Sequence, residues 1–358
     1  MNNNWLRNTI RSFEPYVVPE IKEHIVINAN ESPYNIFDFP PVKADFLERL
    51  AKTPSYHYPD PFAEELRAAL AKYVGCQPQE VLVSNGGDEI ISLIMNTFLN
   101  PGDTLLTHTP TFDIYGIDAE VLGAQVVTVS DLDGYRRDRD GLLTKVKELQ
   151  PKVTVLCNPN NPTGELLPLD YVESLVQAAD NIVVIDEAYL EFAGAPSIIT
   201  KLSQYDNLIV IRTLSKAFGL AGCRVGYGVA QKELIDALGL TKLVYNLNIL
   251  SQNAALAAMD YADDILAHNI PPTLAARQYF MDALKDVPGL TVYPSSTNFV
   301  LVRVPDGPAM VKALHDADIC VRSYKAANLK NCLRITITTD EVVRKVVAVM
   351  TEEATKDA

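Results

Sequence analysis

Arg212-Thr213-Leu214-Ser215-Lys216-Ala217-Phe218-Gly219-Leu220-Ala221-Gly222-Cys223-Arg224-Val225-Gly226-Tyr227 is the stretch on which the reading of this chain turns. It follows Leu208-Ile209-Val210-Ile211, a run with the β-branched composition of a buried strand. It sets one lysine among hydroxyl groups, with an arginine eight residues on. A lysine that is partly desolvated and close to other cations loses proton affinity, and its free amine can then attack an aldehyde. Thr213, Ser215 and Arg224 are left to hold a phosphate. Two other readings compete: a surface lysine beside glycine turns, and a dinucleotide loop. The second fails, because glycines at 219, 222, 226 and 228 do not make G-x-G-x-x-G.

Working outward, the same order of apolar strand and then polar loop recurs. Ser84-Asn85-Gly86-Gly87-Asp88-Glu89 ends a strand, turns on two glycines and opens a helix, so free backbone N–H groups converge on one point. Either a phosphate sits there or the turn is a plain helix cap. Asn158-Pro159-Asn160-Asn161-Pro162-Thr163-Gly164 follows another strand, where a Pro-fixed loop can present a side-chain amide to a ligand or simply turn the chain. Asp186-Glu187-Ala188-Tyr189 ends a third strand. A carboxylate there needs a cation, from a structural ion pair or from a ligand.

Strand-like runs at 81–83, 104–107, 125–129, 153–157, 182–185, 208–211 and 223–227 alternate with helical segments such as 88–99, 141–150 and 170–179. Several strands are apolar on both faces, as in a mostly parallel sheet covered by helices on both sides. The last ninety or so residues read as a smaller α+β domain: helices at 272–284, 308–316 and 340–353 with strands at 291–292, 299–302, 320–322 and 333–336. The expected organisation is an N-terminal arm over 1–45, broken by prolines and packing on the small domain, a large domain over 46–265 and a small domain over 266–358.

The chain has 358 residues, 48% of them hydrophobic, and 31 Lys+Arg against 45 Asp+Glu give a net charge of −14. That balance excludes a disordered or collagen-like chain and argues against nucleic acid or an anionic membrane as partner. No run reaches the roughly 20 apolar residues of a membrane span, and the start lacks the apolar centre of a secretion signal, so a cytoplasmic location is expected. Five scattered cysteines without C-x-x-C and five histidines without a His-x-x-x-His pair predict reduced thiols and no metal.

Together the strand-end loops supply a phosphate cradle, an amide, a carboxylate, a phenol, a lysine and an arginine, the set that pyridoxal 5'-phosphate requires. Here the sequence resembles the fold-type I pyridoxal-phosphate-dependent aminotransferases of classes I and II. Asn28-Ala29-Asn30-Glu31-Ser32-Pro33, Gly86-Gly87-Asp88-Glu89, Pro110-Thr111-Phe112, Asn158 to Gly164 and the lysine segment carry the likeness over nearly the whole chain. Tyr58-Pro59-Asp60-Pro61, Tyr245-Asn246-Leu247-Asn248 and Asn331-Cys332-Leu333-Arg334-Ile335 resemble its histidinol-phosphate branch.

The resemblance implies that Lys216 forms the Schiff base and shuttles a proton, Asp186 keeps the pyridine nitrogen protonated, and Asn161 and Tyr189 bond the phenolic oxygen. It implies that Phe112 stacks on the ring, and that Gly87, Asp88, Ser215, Arg224 and Thr213 bind the phosphate, with Tyr58 reaching it across a homodimer. Arg334 would grip the substrate carboxylate, with Asn161 beside it. Arg322 would face a distal substrate phosphate or form a surface ion pair, and Tyr16 would line that end or merely pack. Asn30-Glu31-Ser32-Pro33-Tyr34-Asn35 and Gly86-Gly87-Asp88 depart from the family's usual Asn-Glu-Asn-Pro-x-Gly and Gly-Ser-Asp, which bears on substrate choice. The implied activity is amino transfer between a small-molecule amino donor and a 2-oxo acid, in the histidinol-phosphate branch by a ping-pong route. The alternatives are an aromatic or other amino acid aminotransferase, a threonine-phosphate decarboxylase of the same fold, or a binding protein without chemistry.

Overall fold

The computed structural model describes residues 5–14 and 21–356. The chain forms strands β1 (Ile25–Val26), β2 (Val81–Ser84), β3 (Thr104–Thr109), β4 (Gln125–Ser130), β5 (Val153–Cys157), β6 (Ile182–Asp186), β7 (Leu208–Thr213), β8 (Gly226–Ala230), β9 (Thr291–Val292), β10 (Phe299–Arg303), β11 (Ile319–Cys320), β12 (Arg322–Ser323) and β13 (Cys332–Thr336). Its helices are α1 (Pro40–Ala51), α2 (Glu64–Val74), α3 (Gly87–Phe98), α4 (Ile114–Leu122), α5 (Arg139–Leu149), α6 (Leu169–Ala178), α7 (Lys232–Gly239), α8 (Ile249–Asp260), α9 (Ala262–Leu284), α10 (Gly307–Asp316) and α11 (Asp340–Thr355).

The large sheet has the order β2-β8-β7-β6-β5-β3-β4. Every pairing from β7 to β4 is parallel, and β8 alone runs against both of its neighbours. Alternate residues feed opposite layers: Val183, Ile185 and Val210 join the cluster with α2, α6 and α8, while Val184, Ile209 and Ile211 join the cluster with α3, α4 and α7. Each such fully buried Val, Leu or Ile contributes about 1.5–3 kcal/mol of hydrophobic stabilisation. The topology gathers the carboxyl ends of β2, β3, β5, β6 and β7 and the start of β8 along one edge, where α/β sheets bind ligands.

The smaller sheet, β12-β13-β10-β9, is antiparallel throughout. Its two-residue period separates two faces: Val300, Val302, Leu333 and Ile335 pack on α9, α10 and α11. Phe299, Leu301, Arg303, Arg322 and Arg334 therefore share the other face, Arg334 standing opposite both Leu301 and Arg322.

The predicted layers hold, with local differences. The strand expected at 223–227 begins at Gly226, because a short helical turn over Ala221–Cys223 precedes it and Arg224 takes a left-handed φ of 54°. Helix α1 runs through residue 45, the expected end of the arm; Pro40 and Pro41 occupy first-turn positions where a missing N–H breaks no intrahelical bond. Helix α9 starts at Ala262 rather than 272 and continues through Pro271 and Pro272, which are exposed while Ile265, Ala276, Phe280 and Leu284 are buried. The strand expected at 320–322 divides, its first part pairing with β1 and its second with β13. The N-terminal segment makes contacts in two places: β1 pairs with β11, but Arg7 and Thr9 both donate to Val121 O at the end of α4. No helix among the described residues is long and apolar enough to cross a membrane.

Candidate active site

Lys216 lies just beyond the end of β7, and its Nζ donates to Ala29 O at 2.9 Å. The segment over it is held closely: a Cβ on Gly219, whose φ is +67°, would meet Tyr34 O at 2.6 Å. Burial, then the Arg334 and Arg224 guanidinium groups, pull the Lys216 amine from its ordinary 10.5 down to about 8, against the pull of Glu31 and Asp88. The amine is therefore partly neutral near physiological pH, the state a nucleophile needs.

Asp186 ends β6 and is buried. Its Oδ2 accepts from Tyr115 Oη at 2.5 Å and its Oδ1 from Ala188 N at 2.9 Å, neither donor being a cation. Burial raises its carboxyl above the ordinary carboxylate range, and those two hydrogen bonds offset only part of that rise. The structural ion pair belongs to the next residue: Glu187 Oε2 meets Arg212 Nη1 at 3.0 Å, and Arg212 Nη2 reaches Glu191 Oε1 at 2.6 Å. Asp186 is thus a buried carboxylate whose charge awaits a cation.

Asn161 and Tyr189 flank the same space. Asn161 Oδ1 accepts from Arg334 Nη1 at 2.6 Å, which leaves its amide N–H groups for another acceptor. Tyr189 Oη accepts from Asn30 Nδ2 at 3.0 Å and its ring centroid stands 6.0 Å from Lys216 Nζ. Phe112 is fixed edge-on against Tyr115, with ring centroids 5.6 Å apart.

The turn before α3 forms the cradle. Gly86 caps the helix at φ 85°, leaving the first N–H groups of α3, at Gly87 and Asp88, without intrahelical acceptors. Arg224 reaches across it, Nη2 meeting Asp88 Oδ2 at 3.1 Å, and a Cβ on Gly86 would lie 2.9 Å from Arg224 Cζ. The antiparallel β8 presses its first residue against the turn, where a Cβ on Gly226 would come within 2.7 Å of Gly87 N. Ser215 is buried. The Thr213 hydroxyl donates to Val225 O and accepts from Ser215 N, so it braces the loop.

Arg334 donates through Nη2 to Asn28 O at 2.6 Å, while its buried Nε has no hydrogen-bond partner among the described residues. Arg322 lies opposite it, beside Tyr324 with Cζ 5.8 Å from the ring centroid. Tyr58 does not join the site of its own chain: it is 77% exposed and stacks on Tyr245 at 4.4 Å. Tyr16 lies outside the described residues.

The structure thus brings together Lys216, Asp186, Tyr189, Asn161, Phe112, Gly87, Asp88, Ser215, Arg224 and Arg334. The amine, the carboxylate without a cationic hydrogen-bond partner and the N–H cradle fit, in kind, the aldehyde, ring nitrogen and phosphate of pyridoxal phosphate. Sequence reasoning gave no role to Tyr115 or Asn30, whose partners are remote in the chain. Among the described residues no cluster fit to hold a metal ion occurs.

The model of the family described as aminotransferase class I and II matches residues 22–350. A histidinol-phosphate aminotransferase of Thermoanaerobacter sp. (strain X514) is 39% identical over 343 residues, covering 95% of this chain and 96% of that protein. One from Ruminiclostridium cellulolyticum is 36% identical over 341 residues, covering 94% of each. The crystal structure of histidinol-phosphate aminotransferase from Sinorhizobium meliloti in complex with pyridoxal-5'-phosphate superposes with a TM-score of 0.88 at 28% identity, covering 99% of this chain and 98% of that one. With that match, those relatives and that site, the chain belongs to the class I and II aminotransferases.

Proposed function

We propose that this aminotransferase uses pyridoxal phosphate to move an amino group from glutamate to imidazole-acetol phosphate, giving histidinol phosphate and 2-oxoglutarate. The observation that carries the substrate is the pair Arg322 and Arg334, directly opposite on β12 and β13 and in no ion pair among the described residues. Like charges opposed across a ladder are unfavourable on their own and favourable around a ligand with two anionic ends. Relatives 34–39% identical that are named histidinol-phosphate aminotransferases support the same substrate.

When bound, pyridoxal phosphate supplies an aldehyde that condenses with amines and a ring that takes up the electrons of a deprotonated carbon. Lys216 Nζ holds the group and then carries the proton to and from the substrate carbon. Asp186 would take the ring N–H, whose positive charge offsets the burial that raises its carboxyl. Tyr189 O–H and the Asn161 amide donate to the ring hydroxyl oxygen. The N–H groups of Gly87 and Asp88, with Ser215 and Arg224, receive the phosphate, and Phe112 covers one ring face. Arg334 takes the substrate carboxylate with two parallel donors and Arg322 the distal phosphate.

The reading includes a homodimer in which Tyr58 of the partner subunit reaches the cofactor phosphate. Tyr58 and Tyr245 stack in the open, and Phe62, Leu243 and Val244, near them in the chain, are exposed apolar side chains of the kind subunit contacts cover. In a single-turnover assay the reconstituted protein is mixed in turn with histidinol phosphate, phenylalanine and threonine phosphate, and loss of its visible absorbance is followed. Histidinol phosphate is expected to react fastest. Arg322→Leu should lower its kcat/KM by about 10-fold or more, the weight of one charge-assisted contact, and leave phenylalanine, which has a single anionic end, unaffected. Faster reaction with phenylalanine would refute the substrate assignment.

A further inference from the structure

We infer that Tyr115 is a positioning residue for the cofactor ring, acting through Asp186. The inference rests on the pyridoxal phosphate reading and adds to it a group from an element that the site's own loops do not contain. Tyr115 sits in the first turn of α4, fully buried, and its Oη donates to Asp186 Oδ2 at 2.5 Å. The other carboxylate oxygen is held by Ala188 N at 2.9 Å. With one oxygen pinned from α4 and the other from the loop after β6, the carboxylate plane is fixed before any ligand arrives.

The same phenol ring supports a second contact. Its face or edge meets Phe112 at 5.6 Å with an interplanar angle of 82°, so Tyr115 links the carboxylate under the ring nitrogen to the side chain that covers the ring. Cys157, the neighbour of Asp186 across β5 and β6, donates through Sγ to Pro159 O at 3.3 Å, and burial pushes its thiol up to about 12. It therefore adds no charge against Asp186. The Tyr115 phenol is likewise driven well above its ordinary range by burial, which keeps it protonated as a donor. A hydrogen bond to a buried carboxylate favours the ionised form, and only that form can pair with a protonated ring nitrogen.

Tyr115→Phe removes the hydroxyl and keeps the ring against Phe112. Apoprotein carrying it is titrated with pyridoxal phosphate and with the analogue in which the ring nitrogen is replaced by C–H, and both dissociation constants are measured by fluorescence. The expected result is a dissociation constant for pyridoxal phosphate raised about 10-fold, the weight of one hydrogen bond to a charged group, with that for the analogue unchanged. In the Asp186→Asn background the same change should have no further effect on either ligand. Equal weakening of both ligands, or the same loss in the Asp186→Asn background, would make Tyr115 merely structural and overturn the inference. No weakening of either would overturn it as well. If the unaltered protein binds the analogue as tightly as pyridoxal phosphate, the role of Asp186 falls, and if it binds neither, the cofactor reading itself falls.

Discussion

The Lys216 amine offers the sharpest quantitative test. Its ordinary value of 10.5 is lowered to about 8, first by burial and then by the Arg334 and Arg224 guanidinium groups, with Glu31 and Asp88 acting in the opposite sense. An amine reacts only when neutral. At pH 8 a group titrating at about 8 is roughly half neutral, whereas one left at 10.5 is neutral in about 0.3% of molecules, a difference of about 150-fold. Trace labelling of the cofactor-free protein with an acylating reagent across pH 6–11, read for the Lys216 peptide by mass spectrometry, should give a midpoint near 8. The sign of the cationic contribution is fixed. Removing Arg334 takes away a charge that repels the proton, so Arg334→Gln should move the midpoint upward, toward but not to the ordinary value, because burial remains. A midpoint above 10 in the unaltered protein, or a downward move on Arg334→Gln, would refute the reasoning.

Two further outcomes follow from close packing around the site. Gly226→Ala places a Cβ 2.5 Å from Gly86 C, so the turn before α3 must shift; a loss of about 1–3 kcal/mol in urea denaturation and weaker pyridoxal phosphate binding by equilibrium dialysis are expected. Arg212→Met strands Glu187 and Glu191, whose side chains are 4% and 7% exposed; a cost of about 3–5 kcal/mol is expected, recovered in part when both glutamates become glutamine, as read from denaturation midpoints.

The groups assigned to the cofactor half of the candidate site were legible in the sequence because Lys216, Asp186 and Asn161 each follow or end an apolar strand. Lys216, Asp186 and Asn161 could be found without knowing which strands were neighbours, since parallel strands bring their carboxyl ends to one edge in any order. The hydrogen-bond partners of these groups could not be found that way. Tyr115 lies 71 residues from Asp186, and Asn30 lies 159 residues from Tyr189, and no local periodicity records either contact. The Arg322–Arg334 register was hidden for another reason: β12 has only two residues, too few for an alternation to show. The misplaced start of β8 reflects Arg224, whose left-handed backbone keeps it over the cradle and outside the ladder. Helix α1 was obscured by Pro40 and Pro41, which mark a helix start as readily as a broken arm.

The alternation along the smaller sheet has an evolutionary corollary. Since the strand residues packed on its helices are aliphatic and its other face carries the arginines, the proposed substrate assignment implies that an exchange at position 322 would alter what the far end of the cleft prefers while leaving both the aliphatic packing and the lysine-bearing half untouched. Under that assignment selectivity and reactivity would be uncoupled, and a new clientele of amines would be reachable by point changes in a two-residue ribbon.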